Sequence, residues 1–197
     1  MLIEETTVPQ SALPVTDFKD HLRLATGFGE DDLQDGLIEA YLRAAIAAIE
    51  ARTGKILIER TFSWSVTFWR DRDSQVLPVA PVSAISDFAI LDRNGSDTGV
   101  SIAEVELRPD WQRPLLRGAG ATCLPGIPTG GMAQVSFIAG FGPDWADLPP
   151  DLAHAVILLG SHYYEYRHEA GLAGGTLPYS VGALIERYRS VRLGSLS

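Results

Sequence analysis

Apolar positions recur at a helical period up to about residue 54, alternate with polar ones to about residue 142, and then return to the helical period. In the first stretch Thr16 is a good N-cap with Asp17 behind it, which predicts a helix through Phe18, Leu22 and Leu24 that stops at Gly27. A longer helix follows. Leu33, Leu37, Tyr41, Ala45 and Ile49 recur every four residues, and Ile38, Leu42 and Ile46 widen the stripe. Glu30, Asp31 and Asp32 suit its positive end, and Gly54 is its stop.

The clearest strand signal covers 61–69. Phe62, Trp64, Val66 and Phe68 fall on one face, and Thr61, Ser63, Ser65 and Thr67 on the other. Weaker strands are predicted at 82–91, 99–107 and 132–139, with Asn94-Gly95 as a type I′ turn. Pro149-Pro150-Asp151 opens a third helix whose buried side is Leu152, Val156, Leu159, Tyr163 and Tyr166. It is expected to end near Ala170, before Gly171, Gly174 and Gly175. After Leu177-Pro178 a last helix is predicted over 180–192, with Val181, Leu184, Ile185 and Tyr188 on one face. These elements predict an α+β fold: an α-helical bundle of two N-terminal and two C-terminal helices (1–55 and 143–197) with an inserted antiparallel β subdomain (56–142).

Composition narrows the functional classes. A chain of 197 residues, 46% hydrophobic and 21% charged, buries a core without a disulfide or metal staple. Asp plus Glu is 25 against 16 Lys plus Arg, a net charge of −9, so the overall attraction to phosphate used in non-specific DNA binding is missing. The one cysteine, Cys123, excludes an intramolecular disulfide and a cysteine-based zinc cluster. No apolar run is long enough for a membrane span. Met-Leu-Ile-Glu-Glu at the N-terminus does not read as a signal peptide, so the expectation is a soluble protein made inside the cell with an unglycosylated Asn94-Gly95-Ser96.

Candidate chemistry is sparse. His162, Glu165 and His168 form the densest titratable cluster, and Glu-x-x-His spacing on a helix ligates iron in carboxylate bundles. Such a site needs the motif twice with two further Glu, and no second copy exists, so the reading is an amphipathic helix with a polar side. Asp92-x-Asn94-x-Ser96 resembles the start of a calcium loop, but Asp97 and Ala103 stand where glycine and glutamate belong. The glycine-rich 118–120 and 126–131 lack the lysine and serine or threonine of a phosphate loop. Ser161 lacks a nucleophile elbow, and Cys123 has no basic partner nearby in sequence. No catalytic residue, metal or cofactor is expected.

The C-terminal helix is more informative. A helix this short is marginal alone, so its Val181, Leu184, Ile185 and Tyr188 face must dock on something. Its outer side carries Arg187, Arg189 and Arg192 against one acid, Glu186. Tethered by a glycine-rich hinge, it either packs on its own bundle or reaches a partner through a helix-in-groove contact.

The chain also resembles the head–tail connector (adaptor) proteins of long-tailed bacteriophages, a family shared with gene transfer agents. The resemblance runs from about residue 15 to 192 and is poor over 93–131. It rests on Val15-Thr16 with His21-Leu22-Arg23, Asp31-Asp32, Glu50 with Thr53-Gly54, and 77–82 (Leu-Pro-Val-Ala-Pro-Val). Ala139-Gly140-Phe141-Gly142, Leu148-Pro149, 162–167 (His-Tyr-Tyr-Glu-Tyr-Arg), Leu177-Pro178, Val181, Leu184 and Tyr188-Arg189 complete it. It implies a structural subunit, not an enzyme, in a homo-oligomeric ring of about twelve copies in the neck of a phage or gene transfer agent particle. The ring would sit beneath the portal protein, extend the DNA channel without specific DNA binding, and present a platform to the next neck (stopper) protein, with no membrane involved. Val181, Leu184, Ile185, Arg187, Tyr188, Arg189 and Arg192 would then dock on the portal. The alternatives are another neck or tail-completion component, or a small metal-dependent hydrolase using His162, Glu165 and His168.

Overall fold

The computed structural model describes residues 1–22, 31–166 and 177–189. It is a mixed fold of α-helices and antiparallel sheets, and the chain divides into two compact units. One comprises Met1–Thr7 with Ile58–Phe141, the other Val8–Leu57 with Gly142–Ser197.

In the first unit a four-stranded antiparallel sheet has the order β1 (Leu2–Glu4), β2 (Arg60–Val66), β7 (Met132–Ala139), β4 (Val82–Leu91). A second sheet has the order β3 (Ser74–Val76), β6 (Leu115–Gly118), β5 (Val105–Arg108). The alternation in β2 sets the large sheet's apolar side. Phe62 lies opposite Phe137 with the rings stacked at 5.9 Å, and Trp64 lies opposite Val135, which in turn faces Phe88. Thr61, Ser63 and Ser65 fall on the other side, opposite Ile138, Ser136 and Gln134. The expected strands at 82–91 and 132–139 are observed with those bounds.

Three expectations in this unit are corrected. The strand expected over 61–69 ends at Val66. Beyond it Trp69 stacks on Phe88 at 6.5 Å and donates its indole N–H to the Pro125 carbonyl at 2.7 Å, while Phe68 stays 70% exposed. The strand expected over 99–107 begins only at Val105, because Ser101 and Glu104 form a reciprocal cap around a 3₁₀ turn at Ile102–Glu104. The turn at 92–95 is closed by the Gly95 N–H on the Asp92 carbonyl at 3.0 Å, so Arg93 and Asn94 are its central residues rather than Asn94 and Gly95.

The second unit contains, among the described residues, α1 (Val15–His21), α2 (Asp31–Thr53), α3 (Pro150–Glu165) and α4 (Tyr179–Ile185). Its core is Phe18 of α1, Ile38, Leu42, Ala45, Ile46 and Ile49 of α2, and Leu152, Ala155, Val156 and Leu159 of α3. Gly160 admits α1: a Cβ there would stand 2.9 Å from the Phe18 ring. α2 stops as expected at Gly54, whose φ of 68° places its N–H on the Glu50 carbonyl at 2.8 Å. Helix α1 begins at Val15, not after a Thr16 cap, because the Pro14 carbonyl already accepts the Phe18 N–H.

The inward stripe of α2 also differs from expectation, since Leu37 is 43% exposed. Steps of four residues advance about 40° beyond a full turn, so a strict four-residue series drifts off the buried face. On α3, Tyr163 is half-buried and Tyr166 exposed, while Tyr164 meets Tyr41 of α2 edge-on at 6.1 Å. The expected helix stops at Gly27 and Ala170 and the hinge at Gly171, Gly174 and Gly175 lie outside the described residues.

Gly140 is a position of the β unit where both conformation and space require glycine. Its φ is 144°, and a Cβ on it would stand 2.4 Å from the Glu59 Cα. Gly140→Ala is expected to destabilise the protein by about 2–4 kcal/mol, read as a lower denaturant midpoint; an unchanged midpoint would refute the close approach.

Candidate protein-interaction site

The last helix starts at Pro178, whose fixed φ suits a helix entry, and runs as α4 to Ile185 before tightening into a 3₁₀ turn at Glu186–Tyr188. It is shorter than the helix predicted over 180–192. Its apolar face is covered by its own chain. Val181, Ile185 and Tyr188 are at most 2% exposed and lie in the core of the helical unit, where α4 packs on α3. Of the seven residues expected to dock on a partner, these three are therefore already buried within the subunit. Leu184 is half-buried, Arg187 and Arg189 are exposed, and Arg192 lies outside the described residues.

A polar clamp fixes the end of this segment on the first turn of α3. The Tyr188 hydroxyl donates to Asp151 Oδ1 at 2.6 Å, and Arg187 Nε meets Asp151 Oδ2 at 2.9 Å. The Arg187 guanidinium also donates to the Tyr188 hydroxyl and lies 4.8 Å from the centre of its ring. Burial pushes the Tyr188 phenol above its ordinary value, and its hydrogen bond to Asp151 adds to this. The hydrogen bond to Tyr188 holds the Arg187 guanidinium above its own. On the outer side Arg189 pairs with Glu186 at 3.0 Å, and Arg52, Leu177, Gly182, Ile185, Glu186 and Arg189 line a shallow groove. Sequence reasoning missed two features here. Asp151, read as part of the opening of the third helix, anchors the clamp, and Tyr179 is 92% exposed. An aromatic directly after the proline that opens a helix was the available signal for Tyr179.

The other candidates are not assembled into a site by the described residues. The half-buried His162 lies against Tyr166 at 4.7 Å, Glu165 is exposed, and His168 lies outside the described residues. Among those residues no group of three or more His, Cys, Asp or Glu is placed to hold a metal. The Asp92 carboxylate accepts the N–H groups of Asn94 at 2.7 Å and Ser96 at 2.9 Å, which holds its pKa below the ordinary value. The calcium-like spacing is thus the spacing of a turn. Cys123 is exposed, and its thiol donates to Asp73 Oδ1 at 3.3 Å. No helix among the described residues is long and apolar enough to cross a membrane.

No family model matches the chain, and no curated protein does. Solved structures do. A chain in the neck of an empty gene transfer agent (GTA) particle, computed with C6 symmetry, is 50% identical, with a TM-score of 0.88 over 99% of this chain and 98% of that one. A chain in the virion of a native GTA particle is 49% identical, with a TM-score of 0.85 and the same coverage. A chain in the neck of a native GTA particle, computed with C12 symmetry, is 46% identical, with a TM-score of 0.83 over 99% and 98%.

The clamp predicts a pH-dependent stability. Tyr188→Phe is expected to cost about 1–1.5 kcal/mol at neutral pH, measured by thermal or denaturant unfolding. Because the folded phenol holds its proton to higher pH than the unfolded one, its contribution is fully present below about pH 10, the ordinary phenol value, and is lost as pH rises through the raised one. A gap between wild type and variant that stays constant across that range would remove Tyr188 from the clamp.

Proposed function

The chain belongs to the family of gene transfer agent neck proteins, a structural component of the particle and not an enzyme, and from that premise we propose that it is the adaptor subunit joining head to tail. The observation that carries this is the near full-length similarity to chains of GTA necks and virions. On this reading the copies form a closed ring of twelve beneath the portal protein, and the C6 and C12 symmetries of the similar necks support a ring. The helices make up one proposed domain, 1–55 and 143–197, and residues 56–142 a β insertion, with Met1–Thr7 belonging to the β side because β1 pairs with β2. The two compact units support that division. The excess of acid over base suits a conduit that repels phosphate and lets DNA slide.

Portal docking falls to what α4 leaves exposed. With Val181, Ile185 and Tyr188 committed to the core, the partner meets Leu184, Arg187, Arg189 and Tyr179, continuing to Arg192. A truncation before α4 would uncover the core, so point substitutions at exposed positions are the sharper probe. Tyr179→Ser with Arg189→Glu is expected to leave the melting temperature unchanged while particle counts by electron microscopy shift to heads without tails. Cells lacking the chain altogether are expected to yield only tail-less heads. Normal tailed particles from the double variant would overturn portal docking, and from the deletion would overturn the adaptor reading itself.

A further inference from the structure

The 23-residue helix α2 is apolar on two sides. Its inner stripe is the core already described. On the opposite side Leu37, Ala40, Ala44, Ala47 and Ala51 are all exposed, Leu37 by 43%. Their spacing of three, four, three and four residues is that of a seam between packed helices. A solvated helix face ordinarily carries charged side chains. Here the charges between these positions are engaged within the chain: Glu39 accepts from Gln10, Arg43 donates to the Val8 carbonyl at 2.6 Å, and Glu50 accepts the Leu57 N–H at 2.8 Å. What remains outward is one leucine, four alanines and Gly36, with nothing within 4 Å of where a Gly36 Cβ would stand.

We propose that this outward face of α2 is the surface through which one copy of the chain contacts the next copy around the neck. The inference rests on the ring reading above and adds the surface that closes it. Two observations select a second copy as the occupant. Similar chains, 46–50% identical over 99% of this one, sit in necks of C6 and C12 symmetry, and in a cyclic array each copy meets the next through two different patches. The seam's area is the second. From Leu37 to Ala51 it is ~21 Å long, and at a helix width of about 10 Å it covers roughly 200 Å² per copy. A stable isolated pair buries about 800 Å² per partner. So small a seam suits a contact that is weak alone and secured by closure, where each subunit is held on two sides. Alanines at the contact let a neighbouring element approach closely, since interaxial distance follows the side chains between helices.

The test uses the full-length chain carrying a photoreactive benzoylphenylalanine in place of Ala44. Irradiated assembled particles are expected to give a cross-linked product of two copies of this chain, identified by mass spectrometry, while dilute purified protein gives none. In parallel, Ala44→Glu with Ala47→Glu is expected to melt like the wild type and to fall at least tenfold in particle incorporation. A product joining Ala44 to a different particle protein, or no product in necks where imaging shows the wild-type chain as a ring, would overturn the α2 assignment and leave the ring standing. Should the double variant be destabilised, the cross-link alone decides. Necks in which copies of the wild-type chain form no ring would overturn the ring reading, and this inference with it.

Discussion

Burial of the Ile38, Leu42, Ala45, Ile46 and Ile49 stripe of α2 is the constraint on which the helical unit depends. Each fully buried leucine or isoleucine contributes about 1.5–3 kcal/mol, and among the described residues no other helix offers so long a line of them. α1 is seven residues and α4 seven, both far below the length at which a helix is stable alone. They exist as helices because this core accepts them. Phe18 enters it through the gap left by Gly160, and α4 adds Val181 and Ile185. The Asp151 clamp then fixes where α4 ends.

That constraint decides what remains for partners. A helix of seven residues with two core positions, followed by a turn that adds a third, cannot both complete its own unit and offer the same side chains to another protein. Sequence reasoning left the two destinations open because anchor spacing is identical in each case. The burial of Val181, Ile185 and Tyr188 separates them, and it moves any docking role to the opposite side, where Tyr179 and Arg189 stand clear. Arg187 has a divided part: its guanidinium is exposed, yet it is engaged by Asp151 and Tyr188.

How much was legible follows the strength of the local signals. Gly54 was readable because a helix stop with positive φ wants glycine, and β4 and β7 because each has eight or more residues between turn signals. β1, β3 and β6, at three or four residues, are too short for periodicity to register. β2 read too long because alternation continues through Thr67 and Phe68, and nothing local shows that Trp69 leaves the strand to stack on Phe88. At the candidate site, Arg187 and Arg189 were visible as a cationic side. The Tyr188–Asp151 bond was not, since it joins residues 37 apart. The outward alanines of α2 were legible as helix formers, but which of them face solvent depends on where the inner stripe settles.

Electrostatics ties the two proposed surfaces together. The chain carries −9, so neighbouring copies in a ring repel one another, as does any DNA passing through it. Repulsion between copies has to be offset by something charge does not oppose, and an apolar seam is such a contact: it is non-directional and indifferent to sign. At physiological salt, charges more than about 8 Å apart are largely screened, so the repulsion acts chiefly where surfaces nearly touch. The alanine face, with its nearby charges turned back onto their own chain, removes charge from that zone. On the reading proposed above, like charge keeps dilute copies apart, and the seam joins them where a template holds many in register.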